Sequence, residues 1–429
     1  MRMRIKIAMK QESRAALTPK LRFPEFRDAP EWKVGQLSDA LSSLLSGLSL
    51  EQGNDASGYK VTRIETISDG SVDLGKVGFV KTSQDVSAYK LDVGDILLSN
   101  INSLLHIGKS VFIDRDFDLY HGMNLLRLVV DSSRYEPRFI SHLIHTDKVR
   151  ASIRERANKA VNQASINQTE LGKTKLLFPL IGEQQKIAEC LTSLDEVIAA
   201  QSQKIDALKI HKKGLMQQLF PRESETLPRL RFPEFQDAPG WEEKNLGSVG
   251  DVLMCKRIFA SETNDRGGVP FYKIGTLGRE PDAYISEELF ENYKSRYNFP
   301  RVGEVLITCS GTVGKCLPYD GRDAYYQDSN IVWIDNPTRE VSNELLLRIL
   351  SNVNWGKLNS TTITRIYGPD LKGLSTKFPT DPYEQQRIAD CLTSLDDLLA
   401  AQSAKLEALK THKKGLMQQL FPSPQEVQA

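Results

Sequence analysis

Apolar residues recur at alternating spacings of four and three between Glu183 and Pro221: Ile187, Leu191, Leu194, Ile198, Ile205, Leu208, Leu215 and Leu219. A repeat averaging 3.5 residues predicts one long helix carrying a coiled-coil seam. Gln201 and Lys212 hold the two seam positions that interrupt the apolar run. The register returns at Ile388, Leu392, Leu395, Leu399, Leu406, Leu409, Leu416 and Leu420, with Gln402 and Lys413 at the polar positions. No proline breaks either block before its closing Phe-Pro pair, and the single glycine of each, Gly214 or Gly415, lies near the C-terminal end. About 36 residues rising 1.5 Å each make a rod of about 54 Å. Two such seams imply one coiled coil, antiparallel if a two-fold axis between tandem halves crosses the rods. Gln201 and Gln402 stand mid-seam, where a polar side chain either fixes register or is simply part-exposed.

The helical block is one of two internal repeats. Glu183–Pro221 recurs as Glu384–Pro422 at an offset of 201, and LRFPEFRDAPEW, Leu21–Trp32, recurs as LRFPEFQDAPGW, Leu230–Trp241, at an offset of 209. Between them lie two stretches that differ widely yet keep faint marks in one order. VGDILLS from Val93 matches VGEVLIT from Val302, HIGKS matches GTVGK at its Gly-Lys pair, and LLFP before the first helix matches TKFP before the second. Short apolar runs bounded by glycine turns predict strands, so each stretch reads as a mixed domain with a small sheet. A frame held alike while the domains diverge is expected if the frame does one job twice and each domain recognises something different.

Composition narrows the classes. A chain of 429 residues suggests two or three domains, and 40% hydrophobic with 26% charged residues is ordinary globular usage. No run approaches the roughly 18 apolar residues of a membrane span, and MRMRIKIAMKQESR lacks a signal-peptide core, so no membrane partner and a cytoplasmic location are expected. Five cysteines, Cys190, Cys255, Cys309, Cys316 and Cys391, form no CxxC pair, which argues against a disulfide framework or a zinc site. Net charge is only +1, so any nucleic-acid surface must come from the distribution of charge.

Candidate catalytic motifs are incomplete. SLLHIGKS, Ser103–Ser110, has Ser103 where a phosphate-binding GxxxxGK[ST] loop needs glycine; a turn joining two strands is the expected reading. TDPY, Thr380–Tyr383, lacks the second proline of the amino-methyltransferase tetrapeptide and fits a hinge into the second helix. His142 and His145 are the one close histidine pair, and no metal site is expected. The first domain carries a basic stretch, Lys148, Arg150, Arg154, Arg156, Lys159, Lys173 and Lys175, beside the polar run Asn162–Gln168. Such residues neutralise phosphates and pair with base edges; a solvated helix face is the alternative. The candidate DNA-binding residues are Arg154, Arg156, Lys159, Asn162, Gln163 and Asn167, with Lys357, Asn359, Thr364, Arg365 and Tyr367 in the second domain.

A leading LRFPEF with a downstream Trp, a divergent domain, an FP turn with EQQ, and a long helix ending in HKKGLMQQLFP, all given twice, resemble the DNA-specificity subunits of Type I restriction-modification systems. The resemblance spans about Leu21 to Pro422. It implies an α+β fold: two similar mixed α/β target-recognition domains separated by two long antiparallel coiled-coil helices, in a pseudo-two-fold tandem repeat. The expected boundaries are an extension at 1–20, recognition domains at 21–182 and 222–383, helices at 183–221 and 384–422, and a tail at 423–429. It further implies a non-catalytic chain that binds double-stranded DNA, two methyltransferase subunits and restriction subunits. No cofactor is expected in this chain, because S-adenosylmethionine and ATP would belong to those partners. Successive major-groove faces lie about 34–36 Å apart, a distance that the predicted rod can span. The rival reading is a coiled-coil interaction scaffold without DNA specificity.

Overall fold

The apolar runs shared by the two halves become the central strands of two like sheets. In the computed structural model, which describes residues 17–67, 70–160, 163–311, 313–328, 330–358 and 365–422, all of Ile96–Ser99 and Val305–Thr308 is buried. Successive side chains leave a strand on opposite faces. Ile96 and Leu98 therefore enter one cluster and Leu97 another, and Val305 and Ile307 part from Leu306 in the same way. Each strand lies inside a four-stranded antiparallel sheet. The order is Leu41–Ser46, Leu125–Val130, Ile96–Ser99, Ser110–Phe112 in the first half and Asp251–Leu253, Ile331–Asp335, Val305–Thr308, Cys316–Pro318 in the second. Gly94 and Gly303 open these strands with φ of 103° and 88°, the third position of a turn that requires positive φ. The carboxylates that follow close the turn: Asp95 accepts from the Asp92 amide at 2.7 Å, and Glu304 from the Arg301 amide at 2.8 Å.

The chain divides into two units, Met1–Ser202 with Lys405–Ala429, and Gln203–Ala404. The long helices span Ile181–Leu219 and Pro382–Leu420, so each gives its N-terminal half to one unit and its C-terminal half to the other. Within the first unit Lys413 pairs with Asp195, while Leu420 joins Ile187 and Leu191 in the domain core. Within the second Lys212 pairs with Asp396, while Leu219 joins Ile388 and Leu392. Positions rise on one segment as they fall on the other, so the segments run antiparallel in both units. Ile187, Leu191, Ile205, Ile388 and Leu392 are fully buried, whereas Leu194, Ile198, Leu208, Leu395, Leu399, Leu406 and Leu409 are half-buried. The helix ends are buried in the domain cores, where Ile187 and Leu191, or Ile388 and Leu392, join sheet residues, and Ile205 is buried nearer the middle. Gln201 is buried at 7% exposure and Gln402 is half-buried.

The repeated motifs interlock at these ends. Arg22 forks the Glu183 carboxylate at 2.8 and 2.7 Å and donates to the Ala29 and Pro30 carbonyls. Arg231 treats Glu384, Ala238 and Pro239 alike. Trp32 and Trp241 add indole hydrogen bonds to the same carboxylates at 3.3 and 3.4 Å. They also pack edge-on against Phe421 and Phe220, the Phe-Pro residues that close the helices. Gln184 and Gln385 each bridge the preceding Pro carbonyl to the start of a neighbouring helix.

Candidate DNA-recognition surfaces

In each half a groove runs between the edge strand of the sheet and a short helix that precedes the long one. The first, about 470 Å³, lies between Leu41–Ser46 and Gln168–Gly172 and is lined by Ser38, Ser43, Gln168, Thr169 and Lys173. The second, about 340 Å³, lies between Asp251–Leu253 and Gly368–Lys372 and is lined by Met254, Arg365, Tyr367, Pro369 and Lys372. The two grooves occupy corresponding places in one topology and share apolar residues and a lysine, Leu41, Leu44 and Lys173 in the first and Val252, Val332, Ile366 and Lys372 in the second, while their other polar groups differ: hydroxyl and amide in the first, guanidinium and phenol in the second. Lys173 is tied to Glu170 at 2.7 Å and Lys372 to Asp251 at 2.8 Å. The Arg365 guanidinium lies 5.4 Å from the Tyr367 ring centroid, and Tyr367 is 60% exposed.

The sequence candidates scatter around the first groove. Arg154 and Arg156 end the helix Asp147–Arg156; Arg154 donates to the Leu105 carbonyl at 3.1 Å, and Arg156 stands 3.8 Å from Glu170. Lys159 and Gln163 are exposed on two antiparallel strands, Asn158–Ala160 and Gln163–Ser165, the second of which also pairs with Ile101–Asn102. Asn167 caps the short helix, its Oδ1 accepting from the Glu170 amide at 2.8 Å, so that oxygen is committed to the fold. Asn162, Asn359 and Thr364 lie outside the described residues. Lys357 sits in the turn of helix Trp355–Leu358, and Arg365 bridges Ser310. The basic stretch is thus divided: Arg150 lines a separate cavity, and Lys173 and Lys175 belong to the groove and its following strand.

The catalytic look-alikes take structural places. Ser103–Ser110 is a turn between strands, with Gly108 at φ 78° donating to the Ser99 carbonyl, and Gly314 at φ 79° donates to Thr308 in the matching turn. Asp381 of TDPY accepts from the Tyr383 amide at 2.8 Å where the second long helix begins. The two ring nitrogens of His145 lie 2.7 and 3.0 Å from the Ser141 and Ser110 carbonyls, and the neutral ring donates to one of them. Sequence reasoning assigned no role to Arg22, Glu183, Gln184 or their copies, although identity across the repeat marked them.

A family model described as the Type I restriction modification DNA specificity domain matches residues 30–209 and again 239–411. The chain belongs to this Type I specificity family. It is similar to the type I restriction enzyme MjaX specificity subunit of Methanocaldococcus jannaschii, 32% identical over 421 residues that cover 92% of this chain and 94% of that one. It is 46% identical over 153 residues to the type I restriction enzyme specificity subunit S.HindORF215P of Haemophilus influenzae, covering 36% of this chain and 40% of that one. The fold is that of the Type I restriction-modification S subunit from M. genitalium, at a TM-score of 0.60 and 15% identity over 94% of this chain and 99% of that chain. Both family matches end inside the long helices, so the repeat of this specificity chain joins a domain to part of its helix. Among the described residues no helix is long and apolar enough to cross a membrane.

Proposed function

We propose that this specificity chain reads a bipartite, asymmetric DNA target, one half-site through each recognition domain, and is itself non-catalytic. The two grooves support the reading, because they share one place in the fold and differ in lining. A surface that met the same partner twice would be alike in both halves; one that reads two sequences has to differ. The repeated helical blocks Glu183–Pro221 and Glu384–Pro422 are nearly identical in sequence, and they suit two copies of one methyltransferase subunit, since similar surfaces capture identical partners. Methyl transfer from S-adenosylmethionine and ATP-driven restriction then fall to the partner subunits.

Arg365 and Tyr367 supply a charged fork and an exposed ring, groups that grip a phosphate or a guanine edge and stack on a base. Arg365→Ala with Tyr367→Ala should weaken the assembled complex on its cognate duplex by about 30-fold or more, from about 1–3 kcal/mol for each of the two lost contacts. Sequence preference should relax in one half-site only. Relaxation of both half-sites, or unchanged preference in a folded variant, would count against the groove as a reader.

A further inference from the structure

A cavity of about 620 Å³ in the first unit lies where the helix Pro137–Ile144 faces the paired segments of the long helices. Three arginines on its wall have no carboxylate partner among the described residues. Arg138 stacks over Phe112 at 4.6 Å and Arg115 over Phe117 at 4.8 Å, while the Nε of Arg150 is buried without a hydrogen bond. Burial and then Arg154 hold the Arg150 guanidinium below its ordinary pKa. His142 Nε2 and Thr192 Oγ1, on the same wall, are also buried without a partner. Lys413 is engaged by Asp195 and Lys410 by Glu407, whereas Asp114 and Glu196 form no ion pair among the described residues. Five cations against three carboxylates leave the cavity lining at a net +2 with neutral imidazoles.

The second half closes the same junction from within. Its helix Asn343–Asn352 buries Leu345, Leu346 and Ile349 as Pro137–Ile144 buries Phe139, Ile140 and Leu143, which sets Arg348 at the place of His142. Arg348 donates to Asp396 and, at 2.8 Å, to Thr393, the repeat counterparts of Asp195 and Thr192. A histidine is too short to make that reach, and its ring leaves Thr192 unbonded.

We propose that this cavity binds a phosphate-bearing ligand, its oxyanion accepting from Arg115, Arg138, Arg150 and Thr192. Arginine forks in a partly desolvated wall match phosphate oxygens, buried donors without acceptors call for one, and the volume is that of a small-molecule site. The inference does not depend on how the grooves read DNA.

Calorimetric titration of the full chain with pyrophosphate and with inorganic phosphate, at constant ionic strength, tests it. Saturable binding is expected, tighter for pyrophosphate, and weakened at least tenfold by Arg150→Gln. Arg322→Gln removes the same charge from a side chain 89% exposed in the other unit and should leave binding unchanged. His142→Arg, copying the second half, should pair with Asp195, fill the cavity and abolish binding while keeping the fold, as followed by circular dichroism. No saturable binding, equal weakening by the two glutamine variants, or full affinity in a folded His142→Arg chain would overturn the site and leave an adventitious ion only. Competition between pyrophosphate and duplex would assign the bound phosphate to the nucleic-acid backbone; independent binding would assign it to a free phosphorylated ligand.

Discussion

Glu183 and Glu384 are each 1% exposed and each receive an arginine fork and an indole N–H. Removing one partner of a buried, hydrogen-bonded pair leaves an uncompensated charge and costs about 3–5 kcal/mol. Glu183→Ala and Glu384→Ala should therefore each lower stability by about that amount in urea unfolding, and by similar amounts because the contacts are the same. A loss below about 1 kcal/mol, the level of a surface ion pair, would contradict the lock. His121 presents a different test. It is 1% exposed with Nε2 3.0 Å from the Leu125 carbonyl, and burial, aided by Arg127 and opposed by that hydrogen bond, lowers its pKa to about 4. An unfolded histidine titrates near 6.5, so between pH 6.5 and 4 the unfolded chain holds the extra proton and stability falls as pH falls. From pH 7 to pH 5 this group should remove about 2 kcal/mol, and His121→Gln should flatten that slope; an unchanged slope would refute the assignment. Neither role was legible from residue types alone. Repetition singled out Glu183, but its partner Arg22 stands 161 positions away, and nothing local distinguishes His121 from an exposed histidine.

The long helices were the most legible elements, because a 3.5-residue period over 39 residues leaves no other regular structure with that pattern. What periodicity could not tell was how the seam would be covered. Its ends sink into domain cores through Leu191 and Leu392, while the mid-seam leucines stay half-buried, and Lys212 and Lys413 find Asp396 and Asp195. Inserting seven residues between Gln201 and Ile205 keeps the seam phase and adds about 10.5 Å, roughly three base pairs at 3.4 Å each. Under the bipartite reading the gap between half-sites should grow while both half-sites persist. Inserting two residues turns the following seam by about 200°, exposes its apolar side chains and should damage folding. A folded seven-residue variant that methylates DNA at the original gap would rule out the helices as the ruler.

At the scale of the molecule, two copies of one architecture carry identical frame contacts and unlike grooves. The tandem repeat, the mixed α/β class and the family were legible because the frame segments are near copies. The grooves were not, since Ser43 and Gln168, or Met254 and Tyr367, come together only through a sheet edge and a short helix far apart in sequence. The basic stretch is likewise split by the fold, which carries Arg150 to a cavity wall and Arg154 to the Leu105 carbonyl. The most direct test of two independent readers is selection from a pool of randomised duplexes by the assembled complex, followed by sequencing. Two unlike specified blocks separated by a fixed unspecified gap are predicted, whereas a single continuous block, a palindrome, or no enrichment over the starting pool would contradict the account.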